Sequence, residues 1–317
     1  MNRPDITVLI DAYNYGRFIE QAVESVLSQD FPMEAVEILV VDDGSTDDTA
    51  DRLRKYVPRV QLIQKENGGQ ASAFNLGISR AQGDIVALLD ADDYWLPQKL
   101  RSVASRFQQN PNAGMVYHRL LNLTESSQET TLDEFTPLSG FIPHDLRALF
   151  AYSPRPTSSL AFRRTALNRI LPIPEGLRIQ ADGYLGALVI FLAPIVAIDE
   201  ALAVYRLHGG NLFYSSEVSI PPERARERIA MLQILIDGMR SWLLKNGFDL
   251  ERGSEKLSLD RWILYQQTSQ FALSPPGRLD LFRHLMKYNS CYRSQMSTRL
   301  HALNYLNAFA ALLTGRN

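Results

Sequence analysis

The chain predicts an α/β protein: a mostly parallel open sheet flanked by helices, followed by a helical region. Three observations carry this prediction. Short apolar runs at Ile6–Ile10, Ile38–Val41, Val60–Ile63 and Ile85–Leu89 read as strands buried on both faces. The segments between them place apolar residues at helical spacing, giving a β-α-β-α-β-α-β order that implies right-handed crossovers. Acidic residues then stand at the ends of two runs, Asp42-Asp43 and Asp90-Ala91-Asp92, at the edge where open α/β sheets bind their ligands.

Each element follows in turn. After the first strand, Phe18, Ala22, Val23, Val26 and Leu27 share one helical face. After the second, Asp42-Asp43-Gly44-Ser45-Thr46-Asp47 is a turn in which Ser45 or Thr46 is expected to cap a helix carrying Ala50 and Leu53 inward. Asn67-Gly68-Gly69 leads into a helix with Ala73, Phe74 and Ile78 on its core face, and Gly83-Asp84 closes that unit. Periodicity weakens from Phe107 to Pro156, and Thr124–Thr136, rich in Ser, Thr, Gln and Glu, reads as a loop or flexible excursion. The apolar stretch Leu185–Ile198 contains Gly186 and Pro194 and reads as core rather than a membrane span. Beyond Pro221-Pro222 the pattern turns helical, with one stripe from Ile229 to Leu243, a second helix around Leu257 to Tyr265, and further segments at Leu279–Met286 and Met296–Leu313. The boundary falls near Ile220. Residues 1–220 form one expected domain, with halves at 1–100 and 101–220. Residues 221–317 form the helical region.

Composition narrows the class. The 317 residues are 45% hydrophobic and 21% charged, with a net charge of −2, which fits a globular chain with a full core and provides no basic field for nucleic acid. Charge is uneven: from Pro275 onward six basic residues face one acid, net +5, leaving −7 on the rest. Such a tail is a solvated helix face or a dock for an anionic membrane. The lone Cys291 forms no internal disulfide, and Met1–Asp5 lacks the start of a secretory signal. The expected place is the cytoplasm, with peripheral contact at the inner face of the membrane.

Asp90 and Asp92, one residue apart on extended backbone, point to the same side. Two like charges there cost energy unless something positive sits between them. A divalent cation holding a diphosphate meets that need. The alternative is a helix start around Tyr94–Pro97 capped by Asp92 or Asp93.

Four segments in order, Ala12-Tyr13-Asn14, Val41-Asp42-Asp43-Gly44-Ser45-Thr46-Asp47, Asn67-Gly68-Gly69 through Asn75-Leu76-Gly77, and Leu89-Asp90-Ala91-Asp92-Asp93, resemble the motifs of family 2 glycosyltransferases, inverting enzymes of the GT-A fold. The likeness runs from about Ile6 to Asn211, and it implies that residues 1–220 are the catalytic domain, with a nucleotide half at 1–100 and an acceptor half at 101–220. It implies a nucleotide-diphosphate sugar donor, UDP-linked, a glycan or lipid-linked cell-envelope acceptor, and Mn²⁺ or Mg²⁺. It also implies roles residue by residue. The first motif (Ala12, Tyr13, Asn14) packs on the base, with Tyr13 stacking. Asp42 or Asp43 accepts the base's imide hydrogen, the other capping the turn. Asn67 to Gly69 either admits the nucleotide or is a plain strand-to-helix turn. In the Asp90-Ala91-Asp92 motif, Asp90 contacts the ribose and Asp92 the metal. Asp182, in Gln180-Ala181-Asp182-Gly183, matches the base that takes the acceptor's proton; otherwise it is an ordinary helix N-terminal carboxylate. In Tyr205-Arg206-Leu207-His208 with Asn211, Arg206 holds phosphate and His208 completes the metal shell or touches the diphosphate.

This chain departs from the family pattern at three positions. Asp11 stands where many members have Pro, Phe74 where some have an Arg that reaches the nucleotide, and Ala181 where an acid is usual. Lys65 and Arg80 read as solvated surface. Asp260-Arg261-Trp262 mimics the end of the processive synthases' signature, but Ser258 stands in place of its Gln, so Trp262 reads as helix core and transfer of a single sugar is expected. Two alternatives stay open. One is a sugar-phosphate nucleotidyltransferase, disfavoured by a first loop with one Gly and one Arg. The other is a non-catalytic nucleotide-sugar-binding protein. The helical region is expected to mediate dimerisation or membrane docking.

Overall fold

The computed structural model describes residues 3–133, 137–142, 155–209, 211, 222–251 and most of 259–291. The chain forms two compact units, one of Met1–Ile142 with Pro154–Ser215, the other of Pro143–Ser153 with Ser216–Asn317.

The first unit is built on one mixed sheet. Its parallel half consists of β1 (Ile6–Ala12), β2 (Val36–Asp42), β3 (Gln61–Gln64) and β4 (Ile85–Asp90), lying in the order β3-β2-β1-β4. Helices α1 (Gly16–Leu27), α2 (Thr49–Leu53) and α3 (Gln70–Arg80) connect these strands. β5 (Tyr94–Trp95) and α4 (Lys99–Gln109) lead into β6 (Met115–Thr124), β7 (Glu129–Leu132), β8 (Leu160–Arg163), α5 (Arg164–Ile170), α6 (Ala181–Val189) and β9 (Ile195–Leu207). Beyond β4 the order continues β8-β6-β9-β5, with β4–β8, β6–β8 and β5–β9 antiparallel and β6–β9 parallel. The sheet is therefore wholly parallel only in its first half and mixed beyond it.

The strands alternate their allegiance. Ile6, Val8, Ile10 and Ala12 of β1 bury against Ile19, Ala22, Val23 and Val26 of α1. On the opposite face α3 lies so close to β1 that a Cβ on Gly77 would stand 2.3 Å from Leu9 Cδ1, which explains glycine at that turn of the helix. Apolar residues on both faces of β1, β2 and β4 account for their near-continuous Ile, Val and Leu.

Three expectations need correction. Thr124–Thr136 is not simply a loop: β7 pairs antiparallel with β6 from Leu121↔Leu132 to Thr124↔Glu129, because Thr130 and Thr131 suit an edge strand; residues 134–136 lie outside the described part. Neither Ser45 nor Thr46 caps a helix. α2 begins at Thr49, whose N–H donates to Asp47 Oδ1 at 3.0 Å, because Ser45 Oγ is taken by the Asn14 N–H at 2.9 Å. No helix starts at Tyr94: β5 pairs there with Val204 and Ala203, and α4 begins at Lys99.

In the second unit, α7 (Pro222–Lys245) buries Met231, Leu232, Leu235, Ile236, Met239 and Leu243, the expected stripe. Trp262 is buried and Gln266 donates to the Ile229 carbonyl at 3.1 Å, so this helical stretch packs on α7. α8 spans Arg278–Cys291. The expected segments at Leu257 and Met296–Leu313 lie outside the described residues. No helix among the described residues is long and apolar enough to cross a membrane.

Candidate active site

The C-terminal ends of β1, β2 and β4 meet in one cleft, with Ala12 level with Asp42 and Asp11 level with Asp90. Two loops of that cleft are knitted together by Asn14. This residue sits at φ 58, a left-handed conformation that asparagine tolerates. Its Oδ1 accepts the N–H of Thr46 at 2.8 Å and of Asp47 at 3.3 Å. Asn14 is therefore a tie between loops. The Ala12 methyl lies in the core, so it offers the base no side-chain surface, a correction to the expected pairing of Ala12 with Tyr13. Tyr13, by contrast, is 43% exposed.

The two acids after β2 have separate structural tasks. Asp42 Oδ1 accepts the N–H of Ser45, three residues on, at 2.9 Å, and Oδ2 accepts Gln64 Nε2 at 3.3 Å. Asp43 gathers the Asn67-Gly68-Gly69 loop. It accepts the N–H of Gly69 at 2.7 Å and of Gly68 at 3.0 Å, Asn67 Nδ2 at 3.1 Å and Lys65 Nζ at 2.6 Å. Lys65 is thus no solvated side chain; it is 19% exposed and neutralises Asp43. Gly69 has φ 84 and meets Arg178 so closely that a Cβ would lie 2.5 Å from its Cα. A glycine is required there to dock α3 against the segment before α6, which favours the turn reading of that motif.

The acidic centre follows β4. Buried Ala91 turns inward, leaving Asp90 and Asp92 beside each other; one oxygen each of Asp90, Asp92 and Asp93 lies within 4.8 Å of the others. Asp92 Oδ2 stands 3.0 Å from His208 Nε2. Asp93 turns away into a buried network: Ser158 Oγ–H donates to it at 2.6 Å and the Arg206 N–H at 2.8 Å. Ser158 Oγ also accepts the Asp90 N–H at 3.1 Å. The fully buried Lys99 donates to the Ser158 carbonyl at 2.5 Å and lies 4.1 Å from the centre of the Trp95 ring.

Arg206 serves this frame rather than standing open to phosphate as expected. Its Nε donates to the Asp92 carbonyl at 2.8 Å and Nη2 to Gln21 Oε1 at 2.7 Å, with the Phe18 and Tyr94 rings 4.7 and 5.3 Å away. β9 thereby clamps the acidic turn. Asn211 closes the turn after it, accepting the His208 N–H at 2.6 Å and donating to the Arg206 carbonyl at 2.9 Å.

Asp182 lies in the first turn of α6, behind Gln180, which adopts φ 70. Its Oδ1 accepts the Gly183 N–H at 2.7 Å and its Oδ2 the Thr157 hydroxyl at 3.1 Å. Gln70 reaches across from α3, accepting the Ala181 N–H at 3.0 Å and donating to Thr157 at 3.4 Å. Motif reading alone passed over Gln70, Thr157, Ser158, Lys99 and Gln21. A lysine on the apolar face shared by Leu100, Val103 and Phe107 was the available signal for Lys99.

Burial dominates the electrostatics. It holds Asp90 and Asp93 well above the usual carboxylate range, neighbouring acids adding to the effect. It pushes Asp11 up to about 7 and raises Asp182. Asp182 acts electrostatically on both Asp11 and Asp90. The Tyr15 hydroxyl is raised by burial and by Asp92 and Asp90. These acids hold protons in the folded state that the unfolded chain, near 3.8, has already released. The stability this supplies is complete below the unfolded value and is lost as pH rises through the folded values. Without metal, Tm is therefore expected to fall between about pH 5 and 8, by roughly 5 °C or more. Mn²⁺ should raise Tm most at the alkaline end, where the carboxylates are ionised. A Tm independent of pH in that window would contradict this.

The donor set fits a divalent cation. Carboxylate oxygens suit Mg²⁺ and Mn²⁺ alike, and the imidazole of His208 beside Asp92 tilts the set toward Mn²⁺.

A parallel half-sheet carrying these acids at its C-terminal edge, continued by strands in mixed directions, matches the GT-A glycosyltransferase fold. A family model described as "Glycosyl transferase family 2" matches residues 7–171. An uncharacterised glycosyltransferase of Nostoc sp. is 33% identical over 279 residues, covering 85% of this chain and 83% of that protein. Among solved structures, residues 1–349 of S. aureus TarS in complex with UDP-GlcNAc match with a TM-score of 0.63 at 20% identity, over 98% of this chain and 92% of that one. The mannosyltransferase PcManGT of Pyrobaculum calidifontis, in complex with GDP-Man and Mn²⁺, matches with a TM-score of 0.55 at 19% identity, over 100% and 89%. The chain belongs to glycosyl transferase family 2.

Proposed function

We propose that the protein transfers one sugar, with inversion, from a UDP-linked donor to a hydroxyl of a glycan or lipid-linked cell-envelope precursor, with Mn²⁺ as cofactor. The observation that carries this reading is the pairing of Asp92 with His208 at 3.0 Å in the cleft that Asp182 also faces. Asp92 and His208 would hold the cation, with Asp90 beside them. When bound, it supplies positive charge that stabilises the departing diphosphate. Tyr13 stacks on the base, and the Asp42-Asp43 pair lies along the base's imide edge. Asn67 and Gly69 shape the wall of that pocket. Arg206 keeps the Asp92 backbone in place. Asp182, raised by burial, takes the proton of the acceptor hydroxyl as that oxygen attacks the anomeric carbon from the face opposite the diphosphate. The donor class draws support from the UDP-GlcNAc complex of TarS and the metal from the Mn²⁺ complex of PcManGT. The acceptor class rests on the family resemblance. The basic stretch from Pro275 is assigned peripheral contact with anionic membrane at the cytoplasmic face.

Calorimetric titration with UDP, GDP and dTDP, each with and without Mn²⁺, tests the donor half. UDP is expected to bind only with the metal present. Absence of binding by all three would sink the proposal, and tight binding of GDP alone would change the donor.

A further inference from the structure

Asp11 has no task in the reading above. It stands next to last on β1, directly level with Asp90 across the parallel pair β1–β4. Residues in register on neighbouring strands point to the same face, roughly 5 Å apart. The face is fixed by packing. Ile10 and Ala12 enter the core with Leu89 and Ala91, so Asp11 and Asp90 project together on the other side. Their carboxyl groups hydrogen-bond each other. Asp11 Oδ1 is nevertheless sealed from solvent and accepts no hydrogen bond. Asp92 and Asp182 both act on Asp11 electrostatically.

A buried acceptor oxygen without a donor is costly, and so are two acids side by side. No packing need of β1 explains either, since an apolar residue would continue the Ile and Leu pattern of the strand. Two adjacent carboxyl groups do match one ligand feature, a vicinal cis-diol, in which each hydroxyl donates to its own acceptor. A ribonucleotide carries such a diol at its 2′ and 3′ positions.

We propose that Asp11 is a donor-specificity residue that, paired with Asp90, holds the two ribose hydroxyls of the nucleotide. The inference rests on the nucleotide-sugar reading above. Asp90 supplies one acceptor and Asp11 the second, so that the cleft selects a ribonucleotide over its deoxy analogues.

The test is a set of titrations at saturating Mn²⁺. UDP, 2′-deoxy-UDP and 3′-deoxy-UDP, with the guanosine series alongside, are measured against the wild-type chain, Asp11→Ala and the near-isosteric Asp11→Asn. Wild type should lose about 10- to 100-fold in affinity for each deoxy analogue, the size of a hydrogen bond to a charged group. In Asp11→Ala the ribonucleotide should weaken by a similar factor, while the penalty for one of the two analogues should vanish. Asp11→Asn, which keeps the shape, should lie between. Equal weakening of all three nucleotides in both variants, or no weakening, would overturn the role of Asp11 while leaving the donor site standing. Failure of the wild type to bind either ribonucleotide would remove the underlying reading and this inference with it.

Discussion

Asp182→Asn is expected to lower kcat for sugar transfer by about 10²- to 10⁴-fold, the usual worth of a positioned base, while UDP affinity in Mn²⁺ stays at the wild-type level. The geometry explains why the effects separate. The carboxylate is held by the Thr157 hydroxyl on Oδ2 and the Gly183 N–H on Oδ1 at the start of α6; the amide oxygen can still accept the Gly183 N–H, and the amide NH₂ can donate to the Thr157 hydroxyl oxygen. What the amide cannot do is take a proton. Burial raises the Asp182 carboxyl, which brings a carboxylate base nearer the pH at which it must act. The wild-type rate should accordingly rise with pH through that titration, and the variant's residual rate should lose this limb. Steady-state kinetics beside calorimetry read both quantities. A variant that keeps its rate would return Asp182 to the rank of an ordinary helix-terminal acid, and a variant that loses UDP binding would make it part of the donor site.

Removing the metal-side pair should be as damaging by another route. Asp92→Asn is expected to weaken Mn²⁺-dependent UDP binding by about 100-fold, at or beyond the upper end of what loss of an outer-shell partner costs a metal site. The same change should raise the metal-free Tm at pH 8, because it takes one charge from a crowded group of acids. Lost binding together with gained stability distinguishes a ligand from a structural support, whose removal lowers both. His208→Ala removes the nitrogen 3.0 Å from Asp92 and should narrow the preference for Mn²⁺ over Mg²⁺, since imidazole is the ligand that separates them. Unaltered Mn²⁺ dependence in both variants would move the metal elsewhere or remove it from the reaction.

The parallel half of the fold was legible because local physics dictates it. A strand buried on both faces must be apolar throughout, so β1, β2 and β4 declared themselves, and the acids at their ends stood out against that background. The β6–β7 hairpin was hidden because an edge strand of Glu, Thr and Leu resembles a polar loop. The start of α2 was misplaced because the hydroxyl expected to cap it, on Ser45, is spent on Asn14, thirty-one positions away.

By itself the sequence determined the alternation of strands and helices in the first hundred residues, the four motifs and the identity of the acids that crowd the cleft. Only the tertiary structure decided what each polar group does. Asp43 gathers the Asn67–Gly69 loop, Lys65 neutralises it, Arg206 clamps the Asp92 backbone, Lys99 anchors Ser158, and Asp11 faces Asp90. The physical reason is one of distance along the chain. Apolar periodicity is a property of neighbours in sequence, whereas a buried polar group must find its partner wherever the fold brings one, here as far as 185 positions away, from Arg206 to Gln21.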